Sequence, residues 1–382
     1  MEILVNQKEL LKGINRVKAA TSKKVLPIFE GIIIEAKDNK INLFANDLEV
    51  GIDTNIPGTI EKPGEVVIPV KIFSDLVKKM KGCIKIQSSD KGDDEISFIV
   101  ITDENDLVYE VEGFNPKHYP SYPKFNPIAK INISQGVLKK ALNQVEFAAI
   151  KDKSRSFLNG IMFKREDGSN ILELAATDAH RLSVKKIDIS SSETIPLIDN
   201  NDIFEAIVPK DSVKKLIKLL SKEDDIVTIT IGEKMIMFEL DNKNNDRLYS
   251  VLIEALYPDY NQIIPKTFET EVITETKKLK EKLERVQLFD DKVEIFIFHD
   301  DVMSIKDTKN KNVSDLTNCI KTGENLSIGF NTQYLIDVLK VIDDERITIK
   351  LNEKLNPVTI TPINHLDNYL YVVMPVRLDE ED

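Results

Sequence analysis

The sequence predicts an α+β protein in which one module is repeated three times along 382 residues. Two landmarks carry the repeat. A short apolar strand with a leading tyrosine recurs as Tyr109-Glu110-Val111, Tyr249-Ser250-Val251 and Tyr371-Val372-Val373, at intervals of 140 and 122 residues. A strand feeding a helix recurs at similar spacing, as Val67-Ile68-Pro69-Val70-Lys71, Ile207-Val208-Pro209-Lys210 and Ser327-Ile328-Gly329-Phe330. Within each unit the apolar period also switches between strand and helix spacing. Solenoid repeats run roughly 20 to 50 residues, so these longer periods mean three domains of one fold.

Smaller correspondences fall in the same order. Tyr119-Pro120-Ser121-Tyr122 matches Tyr257-Pro258-Asp259-Tyr260, each a proline-stiffened turn closing its unit. Glu30-Gly31-Ile32 followed by Ala45-Asn46-Asp47 parallels Asn159-Gly160-Ile161 followed by Ala176-Thr177-Asp178. The β-branched runs Ile32-Ile33-Ile34, Ile41-Asn42-Leu43-Phe44, Ile161-Met162-Phe163, Ile171-Leu172-Glu173-Leu174 and Val227-Thr228-Ile229-Thr230-Ile231 read as antiparallel strands joined by hairpins. Six amphipathic helices alternate with them, two per unit. Their apolar stripes start from Leu10, Phe73, Leu138, Val213, Leu279 and Leu335. Each stripe is expected to bury itself on a sheet. Boundaries are expected at 1–127, 128–265 and 266–378, with a short acidic tail at 379–382.

Composition fits three independent cores. About 125 residues per unit can bury one, and 42% hydrophobic with 30% charged residues is ordinary for a globular chain. No apolar run reaches roughly 18 residues and no cleavable leader is visible, so a cytoplasmic protein without membrane spans is expected. Cys83 and Cys319 lie in different units and make neither a metal spacing nor a disulfide framework.

Charge is segregated by element type. The six segments that the periodicity marks as helix, Lys8 to Lys18, Lys71 to Lys81, Val137 to Val145, Lys210 to Lys218, Lys277 to Arg285 and Thr332 to Ile342, carry 20 Lys+Arg against 6 Asp+Glu, whereas the whole chain has 52 against 64 and a net charge of −12. Lysine is a good helix former, so a merely solvated face explains part of this. The functional alternative is that the helices share a surface facing a polyanion through phosphate contacts that carry no sequence information. The acidic remainder would discourage nucleic acid elsewhere.

No phosphate loop, dinucleotide fingerprint or zinc helix is present. One segment has a catalytic look: Ala176-Thr177-Asp178-Ala179-His180-Arg181. Read as a strand, it puts Asp178 and His180 on one face, with Thr177 and Arg181 elsewhere. A hydrolase or transferase centred on Asp178 and His180 is therefore one reading, without support from a nucleophile motif. A repeat scaffold that binds only proteins is another.

Leu158-Asn159-Gly160 read as strand, Ala176 to Leu182, Tyr257-Pro258-Asp259-Tyr260 and the ending Tyr371-Val372-Val373-Met374-Pro375-Val376-Arg377-Leu378 together resemble the bacterial sliding clamp, the β subunit of the replicative DNA polymerase III. The resemblance covers residues 1 to 378. It implies three similar domains per subunit and a head-to-tail homodimeric ring, with sheets outside and helices lining a hole around double-stranded DNA. Such a subunit is not an enzyme and needs no cofactor or metal. Its implied partners are the polymerase catalytic subunit, the clamp loader and other proteins carrying a clamp-binding segment.

Carried over residue by residue, the resemblance implies a peptide-binding cleft between the second and third domains. One wall would be Leu158, Thr177, Ala179, His180, Arg181 and Leu182, with Pro258, Gln262 and Ile263. The other would be Leu355, Pro357, Val372, Val373, Met374, Pro375, Val376, Arg377 and Leu378, with Arg181 and Arg377 orienting the ligand. Many clamps have an arginine where this chain has Gln262, which bears on peptide preference there. The dimer contact would join Tyr109 and Val111 to Leu288 and Phe289 of a neighbouring subunit. Family positions near the duplex match Lys23, Lys71 and Lys210, with Arg155 nearby, and charge alone adds Lys24, Lys151 and Lys153. The tail Asp379-Glu380-Glu381-Asp382 reads as a solubilising end, or alternatively as a device that repels acidic partner segments.

Overall fold

The structure is a computed structural model. It describes all residues except 23–25, 90–95, 106–107, 121–125, 167, 191–203, 290–292, 308–313, 365–367 and 379–382. Six α-helices are described: α1 (Gln7–Val17), α2 (Val70–Lys79), α3 (Gln135–Val145), α4 (Lys210–Leu219), α5 (Thr276–Val286) and α6 (Thr332–Leu339). The helix periodicity located them to within three residues. Local chemistry sets their starts: the Asn6 side chain accepts the Lys8 amide at 3.0 Å, and Asn331 caps α6 by accepting the Tyr334 amide at 3.3 Å. No helix among the described residues is long and apolar enough to cross a membrane.

The chain forms two compact units. One holds the described residues of 1–137 and 214–252, the other those of 138–190, 204–213 and 253–378. The first contains a 13-stranded antiparallel sheet, and the second a 9-stranded and a 4-stranded sheet. In the first unit Leu10, Ile14 and Val17 of α1 and Phe73 and Val77 of α2 are buried. In the second, α5 and α6 seal one apolar cluster with Phe296, Phe298, Phe330, Tyr369 and Tyr371. Each such side chain stabilises the fold by about 1.5–3 kcal/mol.

Each large sheet contains strands from more than one repeat. In the first unit Arg247–Val251 pairs with Val50–Ile56, in the register Arg247↔Asp53, Leu248↔Ile52, Tyr249↔Gly51 and Ser250↔Val50. In the second, Arg181–Asp188 pairs with Tyr369–Val373, in the register Arg181↔Val373, Leu182↔Val372, Ser183↔Tyr371, Val184↔Leu370 and Lys185↔Tyr369. The recurring tyrosine therefore lies within a joining strand in two repeats, where Tyr249 and Tyr371 are buried. Tyr109 lies in Val108–Phe114, whose pairing to Gly64–Pro69 is limited to Val67↔Phe114, and it is exposed.

A buried polar weld locks the first of these joints. Asp246 accepts from Arg16 of α1 at 3.0 Å and from the Thr54 hydroxyl at 2.5 Å, while Arg247 holds the fully buried Asp53 through Nε at 3.0 Å and Nη2 at 2.6 Å. Arg16 is thus one helix cation already committed within the fold.

Candidate functional site

The segment Thr177 to Arg181 is a turn, which corrects its reading as continuous strand. One strand ends at Thr177 and the next begins at Arg181. Asp178 builds the corner: Oδ1 accepts the backbone amides of His180 and Arg181, both at 2.9 Å, and Oδ2 accepts Arg181 Nε at 3.0 Å. Asp178 is buried and bound to these donors while the His180 side chain is exposed, so the pair does not make an oriented base. The same corner occurs in the first repeat, where Asp47 Oδ1 accepts the amides of Glu49 at 3.1 Å and Val50 at 2.7 Å. Both corners need a left-handed residue, Leu48 at φ 72° and Ala179 at φ 73°. A left-handed L-residue costs roughly 1–2 kcal/mol, so Ala179→Gly should raise unfolding free energy by about 1 kcal/mol in a urea titration, whereas Ala179→Val should lower it.

Arg181, expected to orient a ligand, is instead bound within the fold. Its side chain is 9% exposed, with Nη1 on Asp337 of α6 at 2.7 Å and Nη2 on the Phe147 carbonyl at 3.1 Å. Its guanidinium lies 4.3 Å from the Tyr334 ring centroid and 5.3 Å from that of Phe147. It fixes the corner through Asp178.

Side-chain alternation sorts the remaining positions expected to line a cleft. Leu182 and Val372 are cross-strand partners in an apolar cluster with Tyr257 and Tyr260. They are buried, as are Leu158 and Thr177. Val373 turns the other way, into the core beneath α5 and α6. The accessible apolar groups are Ile263, 47% exposed, and Leu355, 57% exposed, with Met374, Pro375, Val376, Leu378 and Pro357 half-buried. Ala179, Pro258, Gln262 and Arg377 are exposed around them. Leu158-Asn159 is not strand but the end of a 3₁₀ turn (Ser156–Asn159) leading into the strand at Gly160.

The stretch 374–378 is held by backbone. Met374 N donates to His180 O, and Val376 N to Gly329 O, both at 2.8 Å. A Cβ on Gly329 would stand 2.7 Å from Leu378 Cδ2 and 2.9 Å from Val376 O, so only glycine lets this segment lie so close. The segment from Tyr257 to Ile263 is fixed by its own side chains. Asp259 accepts from Gln262 Nε2 and Asn261 N, both bonds drawing its carboxyl below the ordinary range.

The cationic positions separate into exposed and committed groups. Lys71 is exposed at the start of α2 and lines a groove of about 500 Å³ with Lys18 and Lys218. Sequence reading did not single out Lys18 and Lys218. Lys18 lies one residue past α1 and Lys218 in the last turn of α4, and their meeting is a tertiary fact. Lys210 is half-buried, its ammonium donating to the Ala149 carbonyl with Glu146 4.0 Å away. That contact holds the connection bearing Lys151, Lys153 and Arg155, all exposed. Lys151 pairs with Asp211 at 2.6 Å and Arg155 with Asp152 at 3.0 Å. Lys23, Lys24, the Phe289 side chain and the tail from Asp379 lie outside the described residues. Val111 is buried, while Tyr109 and Leu288 are exposed. Among the described residues no cluster of His, Cys, Asp or Glu could hold a metal.

Comparison with known proteins agrees along the whole chain. Residues 1–123, 132–259 and 261–377 match the family models for the N-terminal, central and C-terminal domains of the DNA polymerase III beta subunit. The beta sliding clamp of Halalkalibacterium halodurans is 28% identical over 396 residues, covering 99% of this chain and all of that protein. The crystal structure of the DNA polymerase sliding clamp from Bacillus subtilis aligns with a TM-score of 0.89 at 25% identity, covering 99% of this chain and 100% of that one. The sliding clamp of Bartonella birtlesii, solved bound to griselimycin, aligns with a TM-score of 0.88 at 25% identity and the same coverage. This chain belongs to the bacterial sliding-clamp family, the beta subunits of DNA polymerase III, which are non-catalytic processivity factors.

Proposed function

We propose that two copies of this chain close head to tail into a cytoplasmic ring around duplex DNA. The ring tethers the polymerase, the clamp loader and other partners through the cleft walled by residues 177–182, 258–263, 355–357 and 372–378. The observation that carries the ring is a pair of open sheet edges. Val108–Phe114 is unpaired along most of its outer side and exposes Val108 and Tyr109. Ser314–Asn318 ends the 4-stranded sheet and exposes Leu316, and Leu288 is exposed as well. Open edges with apolar side chains invite strand addition, and two different edges meeting between copies form a heterologous contact that can close into a ring.

Lys18, Lys71 and Lys218 are read as contacts to the phosphate backbone, with Lys151, Lys153 and Arg155 reaching it at small cost because exposed ion pairs are weak. Retention on DNA would then be topological. The protein loaded on circular plasmid should stay bound in 0.5 M salt, roughly, and leave when the circle is cut, whereas a purely electrostatic binder falls off in salt on either form. Lys71→Glu with Lys218→Glu should reduce loading several-fold. Equal loading of this variant would remove the groove from the DNA-facing set. The domain limits 1–127, 128–265 and 266–378 remain part of this proposal.

A further inference from the structure

We propose that the cleft continues past its apolar floor into a subsite for a basic residue of the same bound peptide. The proposal rests on the reading of the cleft as a peptide site. On the strand Arg181–Asp188, Ser183 faces the helices, its hydroxyl donating to the Gln144 carbonyl at 2.7 Å, so Leu182, Val184 and Lys186 face the other way. Their ladder continues from Leu182↔Val372 to Val184↔Leu370, and then to Lys186, whose amide donates to Asn368 O at 2.9 Å. Two residues along a strand advance roughly 7 Å, the distance from one outward side chain of an extended peptide to the next on the same side.

At this second step there is a pocket of about 290 Å³, floored by Val184 and Leu370 and bounded by Tyr260, Asn261, Glu173 and Lys186. Ligand cavities usually start near 300 Å³, so this one suits a side chain rather than a whole small molecule. The 3₁₀ turn Tyr260–Ile263 is a shared bank, with Ile263 among the cleft residues and Tyr260 and Asn261 lining the pocket.

Charge selects the occupant. One Glu173 oxygen accepts the Tyr260 hydroxyl, and the other has Lys186 only at 3.5 Å. Burial first, and then the bond to Glu173, push the Tyr260 phenol above its ordinary range, which keeps it a donor. On this face the cross-strand row runs Glu205↔Lys164↔Glu173↔Lys186, Glu166 pairs with Lys164 at 2.9 Å, and Lys164 helps draw the Asp259 carboxyl down. Glu173 and Lys186 line the pocket itself, and along this row four carboxylates (Glu166, Glu173, Glu205 and Asp259) outnumber two ammonium groups (Lys164 and Lys186). An arginine or lysine stem can lie on Val184 and Leu370 with its head on Glu173 and the Tyr260 ring. An acidic side chain would add to the excess negative charge.

The test uses the full chain and labelled nonapeptides that share one leucine-rich centre and end, at either terminus in turn, in Arg-Arg, Gln-Gln or Glu-Glu, with griselimycin as competitor. At one terminus Arg-Arg should bind about five-fold tighter than Gln-Gln and Glu-Glu weaker than both, and Glu173→Gln should bring the Arg-to-Gln ratio within about two-fold. Equal affinity of the three ends, with griselimycin still displacing the peptides, overturns the subsite alone. So does an arginine preference that survives Glu173→Gln, since it would reflect only the chain's overall acidity. Peptides that do not bind, or that griselimycin does not displace, overturn the cleft reading and the subsite with it.

Discussion

Arg181→Ala should lower the unfolding free energy by about 3–5 kcal/mol, because the buried Asp178 and the part-buried Asp337 lose the one guanidinium they share. Asp178 is buried and Asp337 is 22% exposed, and both are ion-paired to the one guanidinium. The Phe147 carbonyl loses its donor as well, and the rings of Tyr334 and Phe147 lose the planar cation between them. Lysine cannot replace this: three directed N–H donors and two stacking faces exceed what a point charge offers. Urea unfolding followed by fluorescence of the tyrosines measures the loss. A loss under 1 kcal/mol would show that solvent reaches the site freely. Removing both charges together, as Arg181→Met with Asp178→Asn and Asp337→Asn, should cost less than Arg181→Ala.

On the proposed reading of the cleft, Leu355→Asp should weaken a leucine-rich nonapeptide at least about 30-fold without moving the unfolding midpoint. The leucine sits in the turn after the strand Arg346–Leu351, just before the Val358↔Val373 pair from which the chain passes to Met374. More than half exposed, it has little packing to lose, so the substitution should leave the folded state intact. Isothermal titration on the variant decides the matter. Affinity within about two-fold of the parent would take Leu355 out of the cleft.

Much of the fold was legible because helices and strands bury one face and advertise the period. All six stripes, from Leu10 to Leu335, fell on helices. The corner at Thr177 to Arg181 was misread because period-2 reasoning cannot see an aspartate capping two amides, and Ala179 does not announce a left-handed backbone as glycine would. The parallel between Asn46-Asp47 and Thr177-Asp178 was visible, but its meaning lay in hydrogen bonds. Arg181 looked like a ligand-facing group for a related reason: Asp337 and Tyr334 lie more than 150 residues away, and only folding brings them near. Charge counting found the helix faces but could not separate Lys71, which is exposed, from Lys210 and Arg16, whose partners at Ala149 and Asp246 occupy them.

The ladder from Arg181↔Val373 to Lys185↔Tyr369 has a further consequence. The middle and last repeats are fastened by five consecutive residue pairs and by the common cluster around Leu182 and Val372, as well as by the covalent thread near Lys266 and Thr267. Those two residues are exposed and lie outside any strand, so a protease nick there severs the thread while the fastening persists. Such a nicked chain should migrate as one particle until denaturant is added, and new termini could be opened at this point with little harm to the assembly.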